Sequence, residues 1–199
     1  MIVTRKSRGR PKSFDDNEAL LSAMNYFWEH GYDNSSLDNL LLAMGIKKSS
    51  FYSTFKSKED LFSSCLDLYR QKMLSQLTML EKEIGPKETM LMLTAMLIKE
   101  LKETGKVKGC LLMNSGQECY NKYGGLSQQV AVEFSFMMEL FTGFVEAAKH
   151  NGEIISTKDA KNIAARYLTA LNGLIVIIQA GVGQDIVDDI VENLKEILE

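Results

Sequence analysis

At 199 residues the chain can bury a sizeable core as one or two domains, and 45% apolar with 25% charged residues is ordinary for a soluble globular protein. Its net charge of -3 argues against a nucleic-acid partner until the distribution of that charge is read. Cys65, Cys110 and Cys119 form no C-x-x-C pair and lie far from His30 and His150, which excludes a disulfide framework and leaves no metal site or cofactor to expect.

Residues 1–14 form a basic arm with Arg5, Lys6, Arg8, Arg10 and Lys12 and no acid. Asp15-x-x-Glu18 is a capping arrangement that opens a helix whose apolar face is Ala19, Ala23 and Phe27 with Leu20, Met24 and Trp28. Gly31 ends it. Ser35-x-x-Asp38 is read as the cap of a second helix with Leu37, Leu40, Leu41 and Met44 inside, and Gly45 turns the chain into a third. Ser57-x-x-Asp60 then caps a long fourth helix carrying Leu61, Leu66, Leu68, Met73, Leu77 and Leu80.

With only two prolines in the chain, the remainder also predicts helices, at roughly 87–104, 108–121, 126–150, 159–181 and 184–198. The segment 159–181 reads Tyr167-Leu168-x-x-Leu171-x-x-Leu174-Ile175-x-Ile177-Ile178, apolar on more than one face, so it must be buried on nearly all sides. Together with 126–150 it is expected to form a homodimer interface. The fold expected is all-α, with a three-helix head and its arm over 1–60 and a larger helical regulatory and dimerisation body over 61–199. The N-terminus leads into Ser13-Phe14-Asp15-Asp16, unlike a signal peptide, and the most apolar run, Leu174 to Ile178, is too short to span a bilayer. A cytoplasmic protein without a membrane partner is therefore expected.

The segment from Gly45 to Lys58 carries the functional signal. Lys47, Lys48, Lys56 and Lys58 fall in a stretch without acids, whereas from residue 61 onward acids outnumber bases. Lys47, Lys48 and Lys58 can neutralise phosphates, the source of most affinity for DNA. Ser49, Ser50, Ser53 and Thr54 are short enough for close approach to a groove, and Tyr52 offers a phenol to a phosphate. Phe51 and Phe55, four apart, face the core. This is the layout of a helix-turn-helix whose second helix enters the major groove. With no Arg, Asn or Gln in the segment, readout leans on Lys48, thymine methyls and DNA shape.

Arg8-Gly9-Arg10-Pro11, Phe27-x-x-x-Gly31-Tyr32, Ser36-Leu37, Ala43-Met44-Gly45-Ile46, Phe51-Tyr52-x-x-Phe55, Lys58-Glu59-x-Leu61-Phe62 and Tyr69 resemble the N-terminal domain of TetR-type regulators over residues 8–69. The resemblance implies a homodimer with a DNA-binding head and a helical C-terminal domain that holds the ligand pocket. It implies DNA contacts at Ser36, Leu37, Lys47, Lys48, Ser49, Ser50, Tyr52, Ser53, Thr54 and Lys58, with Arg8 and Arg10 tracking backbone or minor groove. In one departure, Ser53-Thr54 stands where an aromatic–basic pair is common in the family.

In the body, Gly109-Cys110-Leu111-Leu112-Met113-Asn114 follows Lys106 and Lys108 and precedes Glu118. A cysteine at a helix N-terminus beside ammonium groups favours thiolate, so Cys110 is open to two readings, a reactive sensor or a small buried residue. The Gly-Cys-Leu-x-x-Asn pattern resembles a TetR branch with members that sense electrophiles through a cysteine at this place. Tyr69, Met73, Met90, Met113, Phe134, Met137, Met138 and Phe141, with Asn114 and Gln117, read either as plain core or as the lining of an adaptable inducer pocket. No catalytic constellation is present, so an enzyme is not expected. The sequence thus predicts a repressor that binds a near-palindromic double-stranded operator and is released by a small-molecule or electrophile inducer; the rival is a helical ligand-binding or redox-sensing protein without operator binding.

Overall fold

The computed structural model describes residues 16–199, and among them every regular element is a helix. Arg8, Arg10 and the expected cap at Asp15 lie outside the described residues. Helix α1 (Asp16–His30) buries Ala19, Ala23, Met24 and Phe27 against the fourth helix and ends where Gly31, at φ 77°, donates its N–H to the Phe27 carbonyl. That left-handed conformation is the one a helix stop asks of glycine.

The cap of α2 (Leu37–Met44) differs from the sequence expectation by one residue. Ser36, not Ser35, accepts the N–H of Asn39 at 3.2 Å, while Ser35 is buried and donates its hydroxyl to the Gly31 carbonyl at 2.5 Å. Ser35 thereby braces the turn before the helix, which leaves Ser36 as the residue with extended backbone and a free side chain. Gly45, at φ 64°, closes α2, and α3 (Lys48–Thr54) follows with Phe51 fully buried. Ser57 caps α4 (Lys58–Ile84) as expected, accepting from Asp60 N–H at 3.0 Å, and Asp60 returns the bond by accepting from Lys56 N–H at 3.1 Å.

Helix α4 runs without interruption from the head into the body. There it packs against α5 (Pro86–Thr104), α6 (Leu111–Cys119) and α7 (Gly124–His150), and α8 (Ala160–Gln179) and α9 (Gln184–Glu196) complete the body by packing on α7, α8 and α5. The expected helix at 108–121 is shorter at both ends: it starts late because Gly109 takes φ 73° and packs so closely that a Cβ there would stand 2.7 Å from Ile175 Cγ2, and it stops early where Tyr120 leaves the helical conformation at ψ 124° and Asn121 takes φ 59°. Residues 106–110 are therefore an irregular strap. The body's core is built on Tyr167, fully buried, whose hydroxyl donates to the Met90 carbonyl and lies 3.3 Å from Thr94 Oγ1. Burial pushes that phenol up to about 12. Helix α8 is long and apolar enough to cross a membrane by length and composition, and here it packs against α7 and α9.

Candidate nucleic-acid interface and its tie to the helical body

Helix α3 presents its functional side chains on one open side because Phe51 and Phe55 hold the other side to the head. Lys47 at the N-cap, Lys48, Ser49, Ser53 and Thr54 are exposed, Tyr52 is 54% exposed, and Ser50 is half-buried. Ser53 donates its hydroxyl to the Ser50 carbonyl at 2.7 Å, which leaves oxygen lone pairs to accept. Ser36 is exposed at the cap of α2, with Leu37 half-buried beside it. Lys58 is placed differently from the other lysines. Its ammonium donates to the carbonyls of Tyr32 at 2.6 Å and Ser35 at 2.9 Å and sits 4.1 Å above the Tyr32 ring. It pins the α1–α2 turn onto α4, and burial lowers its pKa while Asp33 and Glu118 oppose that shift.

The body grips the same turn from the other side. Glu118, in the last turn of α6, accepts the N–H of Tyr32 at 2.7 Å through Oε2 and that of Asp33 at 2.6 Å through Oε1. The fit depends on Gly31, where a Cβ would stand 3.0 Å from Glu118 Oε1. Asp33 in turn accepts from Lys122 Nζ at 2.8 Å and from the Tyr123 hydroxyl at 2.5 Å, and these two partners hold its carboxyl below the usual range. The Tyr123 ring meets Tyr32 edge-on at 4.8 Å. A carboxylate taking two backbone N–H groups is a charge-assisted contact, stronger than neutral pairs. The sequence singled out Glu118 only as a neighbour of the Cys110 motif; its partners lie more than 80 positions away, beyond any periodicity.

At the opposite end of α6, Cys110 is the N-cap residue and is half-buried. The Tyr69 hydroxyl donates to Cys110 Sγ at 3.5 Å, and Trp28 Nε1 donates to the Gly109 carbonyl at 3.1 Å. Burial, followed by the neighbouring thiol, pushes the Tyr69 phenol well above its usual value. Lys108 Nζ lies 5.8 Å over the Trp28 ring, and Asn114 donates its amide to the Lys108 carbonyl at 3.1 Å. Cys65 and Cys119 are fully buried; burial raises both thiols, that of Cys119 to about 11.

The residues read as one pocket occupy four places. Tyr69 and Asn114 belong to the Cys110 corner, with Met73 half-buried further along α4. Met90 and Phe141 are core, the latter stacked on Tyr167 at 5.9 Å. Met113, Gln117 and Phe134 line a cleft of about 520 Å³ between α6 and α7. Met113, Phe134, Met137 and Met138 border a second groove of about 500 Å³ that continues onto Thr169, Asn172 and Val176 of α8. Among the described residues no group of three His, Cys, Asp or Glu side chains could hold a metal ion.

Comparison with known proteins bears on both halves. Residues 19–65 match the family described as bacterial regulatory proteins, tetR family, and residues 86–189 match the tetracyclin repressor-like C-terminal domain. The HTH-type transcriptional repressor ComR of Escherichia coli is 51% identical over 65 residues, 33% of this chain and 31% of ComR, so the chain matches under a third of that relative's length. The uncharacterised HTH-type transcriptional regulator YezE of Bacillus subtilis is 29% identical over 161 residues, 80% of this chain and 83% of its own. A cysteine mutant of the TetR family regulator CifR, solved with 26-bp double-strand operator DNA, superposes with TM-score 0.78 at 26% identity, covering 94% of this chain and 98% of that one. The chain belongs to the TetR family, and is a DNA-binding transcriptional regulator rather than an enzyme.

Proposed function

We propose that this regulator is a cytoplasmic homodimeric repressor whose two α3 helices enter successive major grooves of a near-palindromic operator, and that an inducer acting on α6 releases it. The observation that carries this reading is the double attachment of α6: a half-buried thiol with a tyrosine hydroxyl at one end, a carboxylate gripping the DNA head at the other. Lys47, Lys48, Ser49, Tyr52, Ser53 and Thr54 supply the groove contact, with Ser36, Leu37, Ser50 and the arm residues Arg8 and Arg10 at its edges. Lys58 serves instead to fix the turn that α6 also holds. Dimerisation uses the grooved outer face of α7 and α8, where Thr169 and Val176 are exposed beside half-buried Phe134 and Met138, and Gly143 and Gly173 permit close approach.

A quinone-type electrophile would add to Cys110: the sulfur–carbon bond forms and the thiol proton passes to the ring oxygen. The added bulk displaces Tyr69 from the sulfur and shifts the strap and α6, which loosens Glu118's hold and changes the spacing of the heads. Coupling requires only that the adduct favour the conformer that binds operator less well.

The test is a gel shift on the upstream DNA of the protein's own gene, with and without a mild quinone, on wild type and Cys110→Ser. Release in the wild type alone supports a thiol trigger. Release of both proteins, or of neither, overturns it, and the search then moves to a reversible apolar inducer in the cleft bordered by Met113, Gln117 and Phe134. Absence of operator binding by either protein refutes the repressor reading.

A further inference from the structure

Away from α6 and from the α7–α8 face, α5 and α9 enclose a cleft of about 640 Å³, a size typical of small-molecule sites. Its floor is apolar: Leu91, Ala95 and Ile98 of α5 face Val191 of α9. The polar atom in that floor, Thr94 Oγ1, is turned inward to the Tyr167 hydroxyl, so no hydrogen-bonding group of Thr94 is offered to an occupant.

The rim has a different character. Lys99, Lys102 and Lys195 stand over the apolar floor with Glu103 as the carboxylate among the lining residues. Lys99 and Glu103 approach at 3.9 Å, with side chains 72% and 63% exposed, a contact too solvated to neutralise either group. Lys195 pairs with Glu192 at 2.8 Å, and no ion pair among the described residues involves Lys102. The α5 side of the rim, with Lys99 and Lys102 against Glu103, is therefore net positive directly above an apolar trough, in a chain of net charge -3, while the α9 side carries Lys195 with Glu192.

We propose that this cleft is a binding site for a small amphiphilic carboxylate, with the alkyl or aryl tail on Leu91, Ala95, Ile98 and Val191 and the carboxylate held by Lys102 and Lys99. A neutral apolar molecule would leave the lysines unused. A phosphate ester would engage the same lysines, but Glu103 and Glu192 beside them disfavour a second negative charge.

The site also lies on a path to the Cys110 corner. Glu100, the neighbour of Lys99, accepts the N–H of Lys108 at 3.1 Å from the strap that carries Gly109 and Cys110. Binding itself is independent of operator recognition, so it is measured on the protein alone.

Isothermal titration with octanoate, decanoate and decanol decides the matter. Decanoate is expected to bind tighter than octanoate by roughly tenfold, from two to fourfold for each buried methylene. Decanol should bind at least tenfold more weakly than decanoate. Lys99→Glu/Lys102→Glu lies wholly on the exposed rim and is expected to weaken decanoate about tenfold. Ala95→Trp fills the trough from an exposed position and is expected to abolish binding, with circular dichroism confirming an intact fold. Decanol binding as well as decanoate, or decanoate binding to Ala95→Trp as to wild type, would overturn the proposal. So would loss of dimerisation in Ala95→Trp by sedimentation, which would assign the cleft to a second copy.

Discussion

Replacing Glu118 with Ala removes the acceptor for two backbone N–H groups in the turn that sets α2 and α3. Hydrogen bonds to a charged group contribute about 1.5–3 kcal/mol each when shielded from water. Here the Asp33 N–H is exposed and Glu118 is half-buried, so solvent brings each bond below that range to about 1 kcal/mol, and the pair together is worth about 2 kcal/mol. For a chain of this length that lowers the melting temperature by about 4–8 °C. The consequence for DNA is separate. The head stays attached through α4, the Asp33 contacts with Lys122 and Tyr123 and the Trp28 bond to Gly109, but Glu118 no longer holds it, so in the proposed dimer fewer molecules have both heads at operator spacing. If roughly one molecule in ten remains competent, the apparent Kd rises about tenfold. Fluorescence anisotropy with a labelled upstream fragment at fixed salt reads this directly, and Glu118→Gln, which keeps one acceptor oxygen, should fall between. A Glu118→Ala protein that melts lower yet binds operator with wild-type affinity would refute the reasoning, because the contact would then only be holding the body together.

Lys47→Ala/Lys48→Ala should lose at least tenfold in operator affinity and flatten the salt dependence by roughly two in slope per head, while its melting temperature stays put. Lys58→Ala should show the opposite pattern, a lower melting temperature with the salt slope retained, since its ammonium already serves two carbonyls. Val176→Arg, placed on the open groove of α8, is expected to give a monomer by sedimentation at micromolar concentration and to abolish operator binding; a stable dimer would move the interface elsewhere. Burial raises the Glu133 carboxyl above 4.5, with the Arg70 guanidinium at 3.1 Å opposing that rise. The folded state thus holds this proton more tightly than the unfolded chain, so Glu133 favours folding at low pH and loses that contribution as pH rises through its folded value. Glu133→Gln should flatten the fall in stability over the weakly acidic range above 4.5, and chemical denaturation across that range checks it.

The head was legible in the sequence because its signals are local. Ser57 with Asp60, Gly31, Gly45 and the Phe51–Phe55 spacing each declare a boundary or a buried face within four residues. The one-residue displacement of the α2 cap from Ser35 to Ser36 arose where two serines adjoin: only the tertiary demand on Ser35, buried under the turn and bonded to Gly31, distinguishes them. The shortened α6 has a similar origin. Nothing near Gly109 in sequence announces that Ile175 will press against it, so periodicity carried the helix back to residue 108. The pocket reading dispersed for the opposite reason. Methionines and aromatics at helical spacing satisfy a core, a groove and a cavity equally, and only packing against Tyr167 sets Met90 and Phe141 apart from Phe134 and Met138.

The same distinction between local and distant signals explains why the link between the Cys110 corner and the head stayed hidden. Cys110 and Glu118 sit at the two ends of a helix of nine residues, each visible as a residue but neither as a contact. Their partners, Tyr69 on α4 and the Tyr32–Asp33 turn after α1, belong to elements that reach α6 only after α4 has folded across the body. A helix this short has little stability of its own, because nucleation costs more than its few bonds return. It holds its place by burying Leu111, Leu112 and Ser115 against its neighbours and by the contacts at its two ends, so a shift forced at one end moves the whole helix and weakens the restraint at the other. That argues for transmission through α6 as a unit: an adduct at Cys110 and the loss of the carboxylate in Glu118→Ala should weaken operator binding by the same route, and the two perturbations combined should cost less than the product of their separate effects.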